Sequence, residues 1–294
     1  MMRAAIAIGS NSTRMLCAEK TERGLEHILR GREETRLFSA LDDNGFFPEE
    51  KMQETAEAVK RLHDAAALHG AADCVLFATS ASRDAKNSDL LAQKIFEYTG
   101  LRMQVITGEE EARLAFAACA GLKKTLVMDI GGGSTELTLG ENGQIFSAAS
   151  AQMGASRLMK MQPVWNTAQA EQALLLAKEA MFPFTHALKG RAEGASVVGI
   201  GGTCTAAAGI KAGAYFDADQ MEGAAVTLPE ARQQLMMLAD MPLHRREQVP
   251  GLPPTRAMHM PNGLCILIAT MELLGFGSLS VSGRNNLDGY LLSL

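Results

Sequence analysis

A chain that carries the same strand, turn and strand twice is constrained to fold as two related halves, and such a repeat is present here. Residues Ile6-Ala7-Ile8-Gly9-Ser10-Asn11-Ser12-Thr13-Arg14-Met15-Leu16 align without a gap on Met128-Asp129-Ile130-Gly131-Gly132-Gly133-Ser134-Thr135-Glu136-Leu137-Thr138. Ile8, Gly9, Ser12 and Thr13 recur as Ile130, Gly131, Ser134 and Thr135. Each copy reads as an apolar strand, a Gly/Ser turn and a second β-prone run, which is a hairpin. At 294 residues the chain is also long for one core. The expectation is a duplicated α/β domain, residues 1–120 and 121–294, with the two hairpin tips facing each other and the boundary near Gly121. No low-complexity linker marks that boundary, which favours a shared cleft over a tether.

The remaining elements follow from periodicity and punctuation. Gly24 to Arg36 reads as a third strand. The turn Asp42-Asp43-Asn44-Gly45 precedes a helix opened by Pro48 and running to about His69, with apolar positions Met52, Ala56, Val59, Leu62 and Ala66. Cys74 to Ala78 is a buried strand, and a helix capped near Asn87 or Ser88 closes at Gly100. Met103 to Ile106 is a strand, and Thr107 with Glu110 forms a capping box. The second half gives helices at Ala168–Leu188, Leu228–Leu238, Gly263–Leu274 and Leu287–Leu294, strands at Ser196–Ile200 and Leu279–Val281, and a Pro-containing connector at Arg245–Thr255. The Met-rich stretches at Met159–Met161 and Met236-Met237 read as core or subunit packing.

Composition removes several functions. A net charge of -5 supplies no global field for a polyanion, and aromatic residues, 5% of the chain, furnish few stacking platforms, so no nucleic acid is expected. The five cysteines are odd in number and contain no C-x-x-C pair, consistent with small core residues in a reducing compartment. The six histidines show no H-E-x-x-H pattern. The apolar run after Arg3 breaks at Gly9, too early for a leader, and Leu264 to Ala269 is too short to span a bilayer. The expectation is a cytoplasmic chain without a membrane partner.

What remains is local. A Gly/Ser turn directly after a strand presents several N–H donors to one phosphate. Gly131-Gly132-Gly133-Ser134-Thr135 is the densest case, Gly9-Ser10-Asn11-Ser12 its counterpart, and Gly201-Gly202-Thr203 a third strand-end loop. None fits G-x-x-x-x-G-K-[ST], so a P-loop is excluded. Asp129, at a strand end where Asp is disfavoured, reads either as a turn cap or as a Mg2+ ligand. Glu136 reads as a second oxygen ligand or a solvated side chain. Glu109, Glu110 and Glu111 fall in the first turn of a helix, which suits the helix dipole, yet three adjacent carboxylates also favour one raised pKa, as a general base requires. Sequence alone does not separate the three.

Taken in order, these segments resemble the exopolyphosphatase and guanosine pentaphosphate phosphohydrolase (Ppx/GppA) family, within the acetate and sugar kinase, heat-shock and actin superfamily. The segments that carry the resemblance are Gly9 to Ser12, Ala78 to Ala85 with Asn87, Gly108 to Leu114, Asp129 to Glu136, Gly201 to Thr203 and Arg256-Ala257. The resemblance implies two ribonuclease H-like (actin-like ATPase) domains around a central phosphate-binding cleft, with the terminal helix free to pack back on the first. It implies a short, two-domain member and a homodimer. It implies release of terminal orthophosphate from inorganic polyphosphate or guanosine pentaphosphate, with Glu111 as base, Asp129 and Glu136 on Mg2+, and Arg36 and Arg83 toward the phosphates. The glycine-rich turns then cradle the substrate. Three places depart from the family pattern: Ala7 stands where the first hairpin has Asp, Met258 where Arg-Ala is followed by Asp, and Leu287-Asp288-Gly289 replaces Arg-Glu-Gly. The loss at Ala7 leaves open a polyphosphate or alarmone sensor that does not hydrolyse its ligand. A sugar or acid kinase of the same superfamily is disfavoured by the Glu-Glu-Ala-Arg segment.

Overall fold

The structure, a computed structural model, describes residues 1–22, 24–119, 121–215 and 220–294. Residue 120, the last of the first expected domain, lies outside them. The chain divides into two compact units, Met1–Ala118 with Asn286–Leu294, and Cys119–Asn285.

The first unit begins with β1 (Met2–Ile8), β2 (Thr13–Thr21) and β3 (Gly24–Glu33). There follow α1 (Glu49–Leu68), β4 (Cys74–Ala78), α2 (Ser80–Asp84), α3 (Ser88–Thr99), β5 (Met103–Val105) and α4 (Gly108–Cys119). The strands form one sheet in the order β3-β2-β1-β4-β5. The β1–β2–β3 pairs are antiparallel, whereas β4 and β5 join in parallel through helical crossovers. Along β1 the side chains alternate between two cores, as a period of two demands. Ala4, Ile6 and Ile8 pack with Met52, Val59 and Leu62 of α1 and with Leu91 and Ile95 of α3. Ala5 and Ala7 belong to the opposite cluster with Leu16, Ala18, Phe77 and Ile106.

The second unit repeats the plan with β6 (Thr125–Ile130), β7 (Thr135–Glu141), β8 (Gln144–Ala151), α5 (Ala155–Met161), α6 (Thr167–Leu188), β9 (Ser196–Ile200) and α7 (Gly201–Ala212). It continues with β10 (Ala224–Thr227), α8 (Leu228–Ala239), α9 (Leu243–Arg246), α10 (Met260–Leu274) and β11 (Ser278–Val281). Its sheet order is β10-β11-β9-β6-β7-β8, so β8-β7-β6-β9-β11 corresponds strand for strand to the first sheet. α10 is buried from Met260 to Met271 and forms the centre of this unit's core.

The last helix, α11 (Asn286–Ser293), returns to the first unit and places Leu287 and Leu291 in the cluster of Ala5 and Ala7. Tyr290 stacks on Phe77 with ring centroids 5.1 Å apart, and Lys20 donates to the carbonyl of Leu292 at 2.8 Å.

Several elements differ from the sequence expectation. The third strand stops at Glu33 rather than Arg36, because Arg36 turns into the left-handed region at φ 47 to reach the first loop. Pro48 is the residue before the helix, not its first turn. Asn87 does not cap α3 with its side chain; its amide instead pairs with both backbone groups of Phe47. The connector after residue 245 contains the end of α9, whose Arg246 is fully buried and donates to the carbonyls of Met241, Val164 and Ala239. Met161, Met236 and Met237 lie at the surface of their unit instead of in its core. Gly201-Gly202-Thr203 is not a loop but the first turn of α7.

Gly289 lets α11 dock, because a Cβ at that position would lie 1.9 Å from the carbonyl oxygen of Leu114. Gly289→Ala is expected to lower stability by about 1–3 kcal/mol, since the better helix propensity of Ala does not offset a clash with rigid backbone. Urea unfolding of the variant beside the parent measures it.

Candidate active site

Glu111 is singled out by burial. The capping box at the start of α4 forms as expected: the Glu110 amide donates to Thr107 Oγ1 at 3.2 Å and the Thr107 amide to Glu110 Oε2 at 2.7 Å. That occupies Glu110 at the surface and holds its carboxyl below the ordinary range, chiefly through the Thr107 amide. Glu109 is also exposed, while Glu111, the residue after Glu110, turns into the interior with 7% of its surface accessible. Burial raises its pKa, against the opposing pull of the Arg83 guanidinium and, more weakly, Arg14 and the Thr79 hydroxyl. Arg83 NH1 lies 2.9 Å from Glu111 Oε2 and also donates to the carbonyl of Ile106 at 3.0 Å. Arg83, expected to face phosphate, therefore first serves as the counter-ion of the candidate base.

The first loop is held from behind. The Gly9 amide donates to the carbonyl of Ser12 at 3.1 Å, the Arg36 amide to that of Asn11 at 2.8 Å, and the Phe38 amide to that of Ser10 at 2.8 Å. All peptide bonds described are trans, so a carbonyl fixed on one side sends the following N–H to the other. The N–H groups of Asn11 and Ser12 are thereby turned away from the 36–38 segment. Arg36 contributes through its strained backbone, and its side chain is exposed.

The second loop obeys the same rule with different residues. The Gly131 amide donates to the carbonyl of Ser134 at 3.0 Å, matching Gly9 and Ser12. The Ala155 amide binds the carbonyl of Gly131, and the Ser156 and Arg157 amides both bind that of Gly132. Arg157 Nε donates to the carbonyl of Gly133 at 2.7 Å. With these three carbonyls held by the start of α5, the N–H groups of Gly132, Gly133 and Ser134 face the other way as a set, the geometry of an anion nest. Thr135 is buried and donates to the carbonyl of Met153, so it braces the hairpin.

Asp129 and Glu136 are direct cross-strand partners, which places both side chains on one face of the sheet. Both are buried, and Ser150 Oγ donates to Glu136 Oε1 at 2.7 Å. The Asp129 carboxylate rests against the N-terminus of α7: a Cβ on Gly201 would lie 2.4 Å from Asp129 Oδ1. A Cβ on Gly202 would coincide with the Arg256 guanidinium. The Gly-Gly pair is therefore needed for close approach by an acid and a base, and Thr203 packs beside them against Gly263.

Sequence reading passed over Arg14 and Asn286, near Glu111, and Arg157, behind the second loop. Arg14 had a signal, since it occupies in the first repeat the place of Glu136. Arg157 and Asn286 had none, because only tertiary packing brings them in.

Two related sheets, each opening on a hairpin whose glycine-containing turn offers backbone donors, define an α/β protein of the actin-like fold. The chain belongs to the Ppx/GppA phosphatase family, whose profile matches residues 16–294. It is 31% identical over 292 residues to the guanosine-5'-triphosphate,3'-diphosphate pyrophosphatase of Vibrio vulnificus, covering 95% of this chain and 56% of that protein. It is 27% identical over 309 residues to the bifunctional 3-dehydroquinate synthase/phosphatase of Fusobacterium nucleatum, covering 99% of this chain and 46% of that one. The chain thus spans about half the length of the curated relatives it matches. The Aquifex aeolicus Ppx/GppA enzyme superposes with a TM-score of 0.84 at 25% identity, over 100% of this chain and 99% of that one. Among the described residues no helix is long and apolar enough to cross a membrane.

Two departures from the family pattern meet in one place, because Ala7 and Leu287 belong to the same buried apolar cluster. Ala7→Asp is accordingly expected to cost about 2–4 kcal/mol as a carboxylate set among apolar side chains, since its cross-strand neighbour Arg14 is already engaged by Asn286. Adding Leu287→Arg supplies a counter-charge and recovers part of that loss. A double-mutant cycle by thermal melting checks the coupling.

Proposed function

We propose that the chain is a phosphohydrolase that releases terminal orthophosphate from inorganic polyphosphate or a related phosphoanhydride such as guanosine pentaphosphate. The observation that carries this reading is Glu111, a buried carboxylate with a raised pKa held on an arginine at the start of a helix. The Vibrio vulnificus relative, a guanosine-5'-triphosphate,3'-diphosphate pyrophosphatase, supports the nucleotide substrate. Glu111 accepts a proton from water as the oxygen attacks the terminal phosphorus. The bridging P–O bond breaks, and the shortened phosphate or nucleotide departs with its electron pair. The backbone N–H groups of Gly132, Gly133 and Ser134, with those of Asn11 and Ser12, bind phosphoryl oxygens. Gly9, Gly131 and Thr135 shape those turns, and the first turn of α7 at Gly201-Gly202-Thr203 adds donors.

Asp129 and Glu136 are the residues that would hold Mg2+. They fit in the chemistry of their donors, being two buried carboxylates on one sheet face. Bound there, Mg2+ supplies positive charge against the oxygens of the scissile phosphate. The family resemblance supports a cytoplasmic homodimer.

Phosphate release from polyphosphate and from guanosine pentaphosphate tests the reading. Glu111→Gln is expected to lower turnover by about 10² to 10⁴, and chelation to abolish activity that Mg2+ restores. Because the base must be ionised, the rate falls as pH drops through the pKa of Glu111, which burial places above the ordinary 4.5. A Glu111→Gln protein that turns over like the parent rejects the assignment.

A further inference from the structure

Asn286 is the first residue of α11 and is 1% exposed. Its Nδ2 lies 3.5 Å from Glu111 Oε1, the carboxylate oxygen that Arg83 leaves to other partners. Its Oδ1 accepts from Arg14 NH2 at 3.4 Å. One neutral amide thus stands between the Arg14 guanidinium and the Glu111 carboxylate, touching both. From these contacts we infer that Asn286 is a positioning residue for Glu111: it orients Oε1 by donating to it, and is itself held in place by Arg14. The inference rests on the assignment of Glu111 as general base.

The surroundings explain how so small a side chain is held to that task. α11 is fixed at three further points. His27 Nε2 lies 2.7 Å from Asp288 Oδ1, with His27 Nδ1 and Arg30 NH2 2.9 Å apart. Tyr290 stacks on Phe77, and Leu292 accepts from Lys20. The groups that face Glu111 are Arg83 from α2, the Thr79 hydroxyl after β4, Arg14 from β2 and Asn286 from α11. Of these Asn286 alone touches both Glu111 and a cation while carrying no charge, so its replacement changes the electrostatics of the base without removing a counter-ion.

Asn286→Asp keeps the shape and sets a second carboxylate beside the first. The acid limb of kcat against pH is expected to move up by about one unit, and kcat at neutral pH to fall by about tenfold, with KM for tripolyphosphate unchanged. Asn286→Ser withdraws the donor without adding charge. It moves the limb the same way by less, and serves should the Asp variant not fold. The inference is overturned if folded variants keep the parental limb, or if kcat falls only as melting temperature falls. Loss of activity in Glu111→Gln with an unmoved limb in Asn286→Asp sinks this inference alone, whereas an active Glu111→Gln sinks the parent reading with it.

Discussion

A carboxylate removed from water must be compensated at close range or it gives up its charge, and the Glu111–Arg83 pair answers that constraint in the first unit. Much of the local architecture follows from it. The five-residue α2 bends the chain immediately after β4, so that Arg83 reaches back to α4. The capping box at Thr107 fixes where α4 begins and hence which of three consecutive glutamates turns inward. Burial and the arginine push the pKa of Glu111 in opposite directions, and burial prevails. A carboxylate with that balance is a stronger proton acceptor than a surface glutamate.

The two hairpin turns show how a backbone shape is kept while its supports are replaced. In the first, donors come from an irregular segment after β3, where Arg36 accepts a strained φ to present its amide. In the second, they come from the first turn of α5 and from the Arg157 side chain. The common requirement is that the carbonyls of the turn be occupied, for only then do the opposite edges of the peptides point their N–H groups in one direction. Different residues meet one geometric demand, so the support is invisible to an alignment of the hairpins themselves.

That distinction accounts for what could be read in the sequence. The repeat, the parity of β1, the amphipathic face of α1 and the capping box are short-range patterns whose physical causes lie within a few residues. The sheet order follows from them once two hairpins and parallel crossovers are granted. The assignments that went astray depend on partners far along the chain. Gly201-Gly202 reads as a loop until Asp129 and Arg256 are seen to press on it. Met236 and Met237 read as core or subunit packing, and their exposure on α8 excludes the core. Of the candidate site, the hairpin turns and the three glutamates were legible, because spacing alone marks them. The choice of Glu111 among them came only through the family resemblance, and the approach of Asn286 was not legible, because a contact between residues 111 and 286 is a property of the folded chain.

The repeat also makes a divergence measurable. At one pair of equivalent register positions the first hairpin sets Ala7 opposite Arg14, and the second sets Asp129 opposite Glu136. A neutral and cationic pair thus stands where the duplicate carries two acids. Asp129 of the anionic pair lies at a helix N-terminus, which lowers the cost of burying it. The cationic side lies one amide away from the buried Glu111. An Asp at position 7 would set a second carboxylate directly across the strand from Arg14 and compete for it. With Ala there the guanidinium is left to Asn286 and, through that amide, to the base. Duplication supplied two copies of one scaffold, and the opposite charge at these few positions is what tells the two units apart.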